Sequence, residues 1–327
     1  MKVVLRRLPL TVRLACGSIL GLILSVLPVS SSADALPVAH CRIVTSTSDL
    51  ASLVKEIGGD RVDVKYLEDG TQDPHLATDH ASSLVNLHRA DLLMVIGLQM
   101  ESAWLGEGLS QFSLLAECAN PHIQFGSRGY FDLSRYVEVL DIPNEITRAL
   151  GIHPLGNPHY WLDPENGRRI ARAIATKLGT ELPSNSSYFQ QRLMTFEAQL
   201  TTRERVWDEK LRPYRRYKVI TYHRAWTNFL AHFGLLSVGE IEPFPGIPPD
   251  HKHVSELIRE MQRQNVRLIL VEPFYGTETA DKIARETGAK VVILPGSVLR
   301  GRPAADYLSL FDCEVDSLTR AFQSHVD

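Results

Sequence analysis

The chain has 327 residues, of which 44% are apolar and 22% are charged, as in an ordinary globular protein. This length exceeds the roughly 100–200 residues of a single domain, so we expect two lobes. A formal net charge of −3 and an isoelectric point near 6.5 exclude a bulk attraction to nucleic acid or anionic lipid. No nucleic-acid partner is therefore expected, and any specificity must come from a local site.

The first 35 residues have the pattern of a secretory signal peptide. Basic residues precede the apolar run "LACGSILGLILSVLPV", and the small residues of "SSSADA" follow it. The apolar run is shorter than the ~20 residues that a membrane-spanning helix needs. We therefore expect cleavage after Ala35. Cys16 lies at the start of the apolar run, which argues against a lipid-attachment cysteine.

Three cysteines remain after removal of the signal, namely Cys41, Cys118 and Cys313. An exported protein can form disulfides, so one disulfide and one free thiol is possible. The spacings contain no CxxC motif, which argues against a thiolate metal site. Three buried, inert cysteines are the plainer interpretation.

Strands and helices alternate in the first part of the mature chain. The stretch "CRIVTSTSDLASLVKEIGG" begins with a β-branched run, passes through a Thr/Ser/Asp cap cluster and continues with apolar residues at helical spacing. Strand "RVDVKYL", helix "HASSLVNLHRA", strand "DLLMVIGL" and helix "SAWLGEGLSQF" follow. Continuous apolar strands between amphipathic helices predict a mostly parallel sheet that is covered on both faces.

The middle of the chain is predicted to be helical. The segment "NGRRIARAIATK" has a helical apolar period, and a longer helix extends from about Ser186 to Leu211 without an internal Pro or Gly. At about 1.5 Å per residue, this longer helix spans most of a domain. We interpret it as a rigid connector between lobes, and the alternative is that it packs wholly within one lobe.

The strand and helix alternation resumes after this helix. The predicted strands are "YKVITYH", "LLSVGEIE", "VRLILVEP" and "AKVVILPG", and the helices between and after them end with "DYLSLFDCEVDSLTRAFQSH". The sequence thus predicts an α/β fold with an N-terminal lobe (36–183), a linking helix (184–211) and a C-terminal lobe (212–327). Ligands of such sheets bind at the carboxyl ends of the strands, so a site is expected in the cleft between the lobes.

Three of the twelve histidines lie at strand ends or in Pro-bounded loops: His75 in "GTQDPHLA", His159 in "GNPHYWLDP" and His223 in "VITYHRAWTNF". A proline directly before each of the first two restricts the backbone there. One histidine alone is more often a surface or core residue. Three neutral imidazoles held together, however, favour a borderline-soft divalent ion, above all zinc.

The other histidines carry weaker signals. His153 lies in the same Gly/Pro-rich loop as His159 and is kept as a candidate. The rest lie in polar, helical or terminal contexts and are expected to be solvated, namely His40, His80, His88, His122, His232, His251, His253 and His325.

Five segments resemble, in the same order, the solute-binding proteins of ABC transporters for zinc and manganese, the cluster A-I family. They are "GTQDPHLATDHASSLVNLHRADLLMVIGLQMESAWL", "GNPHYWLDPENGRRIARAIATKL", "TYHRAWTNFLAHFGL", "IEPFPGIPPDHKHVSELI" and "VRLILVEPFYG", and they cover nearly the whole mature chain. The resemblance implies a periplasmic, monomeric receptor with two α/β lobes and one long linking helix. It also implies a divalent metal ion in the cleft and a membrane permease as the partner.

The resemblance assigns three ligands in this sequence. His75 matches the histidine of the family's "DPH" loop, His159 matches that of its "PHxWLDP" loop, and His223 matches the ligand at a strand end. The third position is commonly Glu in manganese members. Histidine here favours Zn²⁺ over Mn²⁺, because imidazole suits zinc and carboxylate suits manganese.

The fourth ligand departs from the family pattern. Many members have an aspartate after the last strand, whereas this chain reads "VVILPGSV". Glu272 is the first candidate because adjacent parallel strands bring their carboxyl ends together, Glu242 is the second, and water is the third. Glu272 is equally well interpreted as a buried hydrogen-bonding residue, because buried carboxylates need partners.

Residues around the ligands are also predicted to take part. Some zinc members carry a long His- and Asp-rich loop, which this chain lacks, so any preliminary capture of metal would depend on His153 and the nearby cleft. Asp73 and Asp163 are candidates to orient the ligand imidazoles. Asp163 has the alternative role of capping the helix that begins near Pro164.

A three-histidine zinc site with an open position also occurs in hydrolytic enzymes. The sequence contains no HExxH, GxSxG or Walker motif. We therefore expect a binding receptor rather than an enzyme. A zinc-dependent hydrolase is the alternative, and a metallochaperone or adhesin on the same scaffold is a further one.

Overall fold

Two four-stranded sheets form the framework of the protein. A computed structural model describes residues 40–77, 81–105, 120–144 and 153–324. The strands are β1 (Cys41–Thr47), β2 (Val62–Glu68), β3 (Leu92–Val95), β4 (Tyr130–Asp132), β5 (Lys218–Thr221), β6 (Leu236–Glu240), β7 (Leu268–Val271) and β8 (Lys290–Ile293). The sheets have the orders β2-β1-β3-β4 and β6-β5-β7-β8, and all paired strands are parallel. The second sheet therefore repeats the strand order of the first.

Eight α-helices in the described part of the chain connect and cover these strands. They are α1 (Ser48–Gly58), α2 (Ala81–Arg89), α3 (Pro164–Glu181), α4 (Ser186–Leu211), α5 (Thr227–Phe233), α6 (His251–Gln264), α7 (Glu278–Thr287) and α8 (Tyr307–Gln323). The first residues of α1 are capped by the Thr47 hydroxyl, which accepts a hydrogen bond from the amide of Leu50. Asp163 caps α3 by accepting from the amide of Glu165, and Pro164 occupies the first helical position.

The predicted α/β fold class is confirmed, with two parallel sheets and one long helix. The sequence analysis missed strand β4. This strand lies at the edge of its sheet, where it pairs with β3, and its three residues are half-buried. A short, half-buried edge strand does not need a continuous apolar run, which is the pattern that marked the other strands. The segment "SAWLGEGLSQF" was predicted to be helical, but residues 102–105 lie in short turns. The rest of that segment lies outside the described residues.

The long helix α4 is part of a continuous core. Its buried face packs against α1 and α3 and also against α8. The indole of Trp207 donates a hydrogen bond to Asp312 of α8 over 2.8 Å. Residues 39–327 form one compact unit, and a single apolar cluster includes residues of both sheets. The lobe boundaries at 183/184 and 211/212 therefore stay a prediction.

Residues 1–39 lie outside the described residues, so the signal-peptide prediction is not tested. Cys41 is buried and Cys313 is half-buried, and both are free thiols. Cys118 also lies outside the described residues. Among the helices that the structure describes, none combines the length and the apolar character that crossing a membrane requires.

Loops that follow the carboxyl ends of the strands join the two sheets. After β8, the Gly296 carbonyl accepts a hydrogen bond from the Trp161 indole over 3.0 Å. The amide of Val298 donates to Asp49 of α1 over 2.8 Å, and its carbonyl accepts from the Ser48 hydroxyl over 2.8 Å. These contacts bring the loops at the carboxyl ends of both sheets together.

Candidate metal site

Four histidines form a cluster at this junction. His75, His153, His159 and His223 each offer a ring nitrogen, and these atoms lie within 4.8 Å of one another. His153 is half-buried and the other three are buried. The Nε2 atoms of His75 and His159 are 3.2 Å apart. The structure thus brings together the three predicted histidine ligands and adds His153.

Two of these histidines lie in loops before the long helix α4, and an Asx turn fixes each of them. In such a turn, an Asp or Asn side chain accepts a hydrogen bond from the backbone amide two residues later. Asp73 Oδ1 accepts a hydrogen bond from the amide of His75 over 2.9 Å. Asn157 Oδ1 accepts from the amide of His159 over 3.0 Å. The same oxygen lies 3.0 Å from Nδ1 of His159, so Nδ1 donates and Nε2 carries the free lone pair.

His223, which follows β5, is oriented from the second half. Its Nδ1 lies 2.9 Å from Oε2 of Glu242. A carboxylate only accepts, so Nδ1 is the donor and the lone pair of Nε2 faces the cluster. This Nε2 atom is buried and has no hydrogen-bond partner among the described residues. Glu242 is also fixed, because its other oxygen accepts from the amide of Gly246 over 2.8 Å.

His153 occupies an unusual backbone position. Its φ angle is +24°, in the region that L-residues rarely adopt. Its ring centroid is 4.7 Å from that of His75, and its buried Nε2 has no partner among the described residues. An imidazole held in this way against three others has the character of a functional position rather than of a solvated side chain.

Glu272, the fourth predicted ligand, lies beside the cluster and outside the four-residue group. Its Oε1 accepts a hydrogen bond from the Trp226 indole over 3.0 Å, and its Oε2 is buried without a partner among the described residues. Both His159 and His223 line a cavity of about 10 Å³ with Glu272. The role of Glu272 as a ligand therefore stays a prediction.

Two predicted supporting residues serve other contacts. Asp73 bonds the backbone of His75, and its second oxygen accepts from the Tyr275 hydroxyl over 3.0 Å. Asp163 caps α3 and pairs with Nδ1 of His232 over 2.8 Å. The prediction that His232 is solvated was wrong, because Asp163 and its own helix leave it only about 20% exposed.

Asn157 and Glu242 are the orienting residues that the sequence analysis did not assign. Asn157 has a local signal, since an Asx residue two positions before His159 can form an Asx turn. Glu242 has none, because it is 19 residues from His223 and only the pairing of β5 with β6 brings them together.

The electrostatics keep most of these imidazoles neutral. Burial, with the neighbouring histidines, lowers the pKa of His75 and His159 well below the ordinary value. Burial lowers the pKa of His153 to about 4. For His223 burial acts in the same direction, but its hydrogen bond to Glu242 and nearby carboxylates outweigh it and raise the pKa. Neutral imidazoles beside acidic groups suit a bound cation.

The separation of one pair of ring nitrogens matches that of two ligands on a tetrahedral ion. Ligand nitrogens at about 2.0–2.1 Å from zinc lie roughly 3.3 Å from each other in a tetrahedron. The 3.2 Å between Nε2 of His75 and Nε2 of His159 agrees with this separation. The cavity of about 10 Å³ that His159, His223 and Glu272 line has room for a single ion or water.

Comparisons with known proteins identify the class of protein to which the chain belongs. Residues 43–321 match the family described as zinc-uptake complex component A, periplasmic. The manganese ABC transporter substrate-binding lipoprotein PsaA of Streptococcus anginosus is 23% identical over 313 residues, which cover 92% of this chain and 97% of that protein. A crystal structure of ZnuA has a TM-score of 0.68 at 24% identity and covers 86% of this chain and 99% of its own. A zinc-bound ZnuA deletion mutant has a TM-score of 0.69 at 25% identity, with 86% and 98% covered.

Fold, histidine cluster and relatives together define the class as the metal substrate-binding proteins of ABC transporters. Within that class, the chain belongs to the zinc-uptake complex component A family.

Proposed function

We propose that the mature protein is a periplasmic receptor that binds one zinc ion and delivers it to the membrane permease of an ABC transporter. The observation that carries this proposal is the buried group of four imidazoles. The relatives bear the names of both metals, since PsaA is named for manganese and one ZnuA structure contains zinc. The choice of zinc therefore rests on the donor atoms, because nitrogen ligands suit zinc and oxygen ligands suit manganese.

His75, His159 and His223 are the three proposed ligands common to every version of the site. Two residues are candidates for the fourth ligand, His153 and Glu272. His153 already belongs to the group, whereas Glu272 lies beside it, with one oxygen bonded to the Trp226 indole and the other without a partner among the described residues. We favour His153 on this ground and retain Glu272 as the alternative.

A competitive titration of the metal-free protein with Zn²⁺ and Mn²⁺ tests the selectivity. We expect one zinc ion per chain and tighter binding of zinc than of manganese. His159→Ala should abolish tight zinc binding, whereas His251→Ala, at an exposed position on α6, should leave it unchanged. Equal or tighter binding of manganese would disprove the zinc assignment.

A receptor is favoured over a zinc hydrolase by the relatives, which are named as substrate-binding proteins. The cavity of about 10 Å³ that His159 and His223 line with Glu272 is also far smaller than the roughly 300 Å³ or more of a small-molecule site. We therefore expect no esterase or carbonic-anhydrase activity from the zinc-loaded protein. Turnover that disappears in His75→Ala would support the enzyme instead.

Delivery and export are tested in cells. We propose cleavage after Ala35 and a monomeric periplasmic product, so the periplasmic fraction should contain a chain that begins at Leu36. Deletion of the gene should impair growth in zinc-depleted medium, and the wild-type gene should restore it where the His159→Ala gene does not. Growth unaffected by the deletion would favour a metallochaperone or adhesin.

A further inference from the structure

Tyr275 lies in the turn that follows β7, outside the histidine cluster. Its amide donates a hydrogen bond to the Glu272 carbonyl over 3.1 Å, which ties the turn to the end of the strand. Its hydroxyl donates to Asp73 Oδ2 over 3.0 Å. Tyr275 therefore connects the second sheet to the loop that carries His75.

Asp73 transmits this contact directly to a proposed ligand. One of its oxygens accepts from Tyr275, and the other accepts from the amide of His75 over 2.9 Å. Asp73 is only 8% exposed, so water does not readily replace either partner. The carboxylate thus fixes the His75 backbone with respect to Tyr275.

The ring of Tyr275 contacts the loop of another proposed ligand. It stacks on Tyr222, with centroids 4.1 Å apart and an interplanar angle of 17°. Tyr222 directly precedes His223, and its amide donates to the Leu270 carbonyl of β7 over 2.7 Å. One side chain therefore contacts the neighbours of two ligands that come from different sheets.

We propose that Tyr275 is a positioning residue of the metal site, whose hydroxyl holds the His75 loop against the second sheet and slows release of the ion. This proposal rests on the proposed metal-binding function. Release requires the ligands of the two halves to separate, and the bond between Tyr275 and Asp73 breaks in that step. An interaction lost on opening affects the dissociation rate more than the association rate.

Tyr275→Phe tests the proposal, because it removes the hydroxyl and keeps the stacked ring. We expect zinc to dissociate about tenfold faster, the factor for one hydrogen bond to a charged acceptor, with an association rate within about twofold of wild type. The matched control is Tyr217→Phe, because Tyr217 is 43% exposed and lies before β5, at the end of that strand away from His223. Removal of its hydroxyl should leave both rates unchanged. A wild-type dissociation rate in Tyr275→Phe would overturn the proposal.

A double-mutant comparison separates the hydrogen bond from a general effect on folding. Asp73→Asn keeps an oxygen for the His75 amide and removes the charge that Tyr275 contacts. Its effect on dissociation should be clearly smaller in the Tyr275→Phe background than in wild type. Additive effects would show that the two side chains do not act on each other and would overturn the proposal.

Hydrogen exchange of the metal-free protein separates this proposal from the proposed function. If the wild-type protein fails to bind zinc, the metal-binding function is wrong. The contact itself is still tested, because Tyr275→Phe should speed exchange of the His75 amide and Tyr217→Phe should not. Equal exchange of that amide in the two variants would overturn the positioning role.

Discussion

At the residue scale, two of the four imidazoles of the candidate site have their second nitrogen fixed by another side chain. Glu242 holds His223, and Asn157 holds His159. Such partners set the tautomer and the direction of the lone pair, and they raise the basicity of the ligand. The two partners differ in charge, so His223 is the most basic of the four imidazoles and the others stay neutral.

The identity of the fourth ligand is decided by two substitutions. If His153 binds the ion, His153→Ala should weaken zinc binding by more than the about 10–100-fold expected for loss of an outer partner. Glu272→Gln should then change the affinity little, because the Trp226 indole can still donate to the amide oxygen. Chelator competition with both purified variants measures the two effects.

The reverse result has an equally clear meaning. A large loss in Glu272→Gln with little change in His153→Ala would assign the fourth position to Glu272. If neither variant loses affinity, the ion has three histidines and a water ligand.

At the element scale, an ion pair joins two helices that begin near different histidines of the cluster. His232 lies in the last turn of α5, where a helix favours positive charge, and Asp163 caps α3. Burial alone would lower the pKa of His232, but the hydrogen bond and charge of Asp163 raise it. Asp208 and Glu204 of α4 act in the same direction, and Arg168 pairs with Glu204.

This ion pair predicts a pH-dependent contribution to stability. A histidine whose pKa is raised on folding stabilises the protein fully below the unfolded value of about 6.5, and the contribution disappears as pH rises through the folded value. His232→Gln should therefore reduce the free energy of unfolding by about 1 kcal/mol at acidic pH and by less at alkaline pH. Urea unfolding at pH 6 and pH 9 measures this, with exposed His251→Gln as the control. An equal loss at both pH values would contradict the ion-pair role.

At the scale of the whole molecule, both sheets share one apolar cluster, and α4 lies across it. The protein should therefore unfold in one cooperative transition rather than lobe by lobe. Trp207 of α4 is 1% exposed and also bonds Asp312. Helix α4 is thus structural for the whole unit and more than a connector.

Substitutions on the buried and the exposed face of α4 test whether the protein unfolds in one cooperative transition. Trp207→Ala should cost about 3–5 kcal/mol of unfolding free energy, as expected for a buried aromatic residue. Met194→Ala, at a position 63% exposed on the same helix, should change it by less than about 0.5 kcal/mol. Denaturation followed by circular dichroism and by tryptophan fluorescence gives both values. Two separate transitions in the wild-type protein would contradict the shared core.

The sequence by itself determined the features that depend on near neighbours along the chain. The apolar periods predicted the buried strands and the helix from Ser186 to Leu211, because side-chain spacing decides which face a helix or strand buries. Proline and polar residues around His75 and His159 marked loops of fixed backbone. Those local signals, together with the family resemblance of the motifs, were enough for the α/β class and for three members of the histidine cluster.

Only the tertiary structure decided which groups surround those three histidines. The contacts of His223 with Glu242, of Glu272 with Trp226 and of Asp73 with Tyr275 span 19, 46 and 202 residues. Strand pairing and the meeting of the two sheets create these contacts, and no local pattern encodes them. The same reason explains why His153 joins the three predicted histidines: its position depends on how its loop packs against His75.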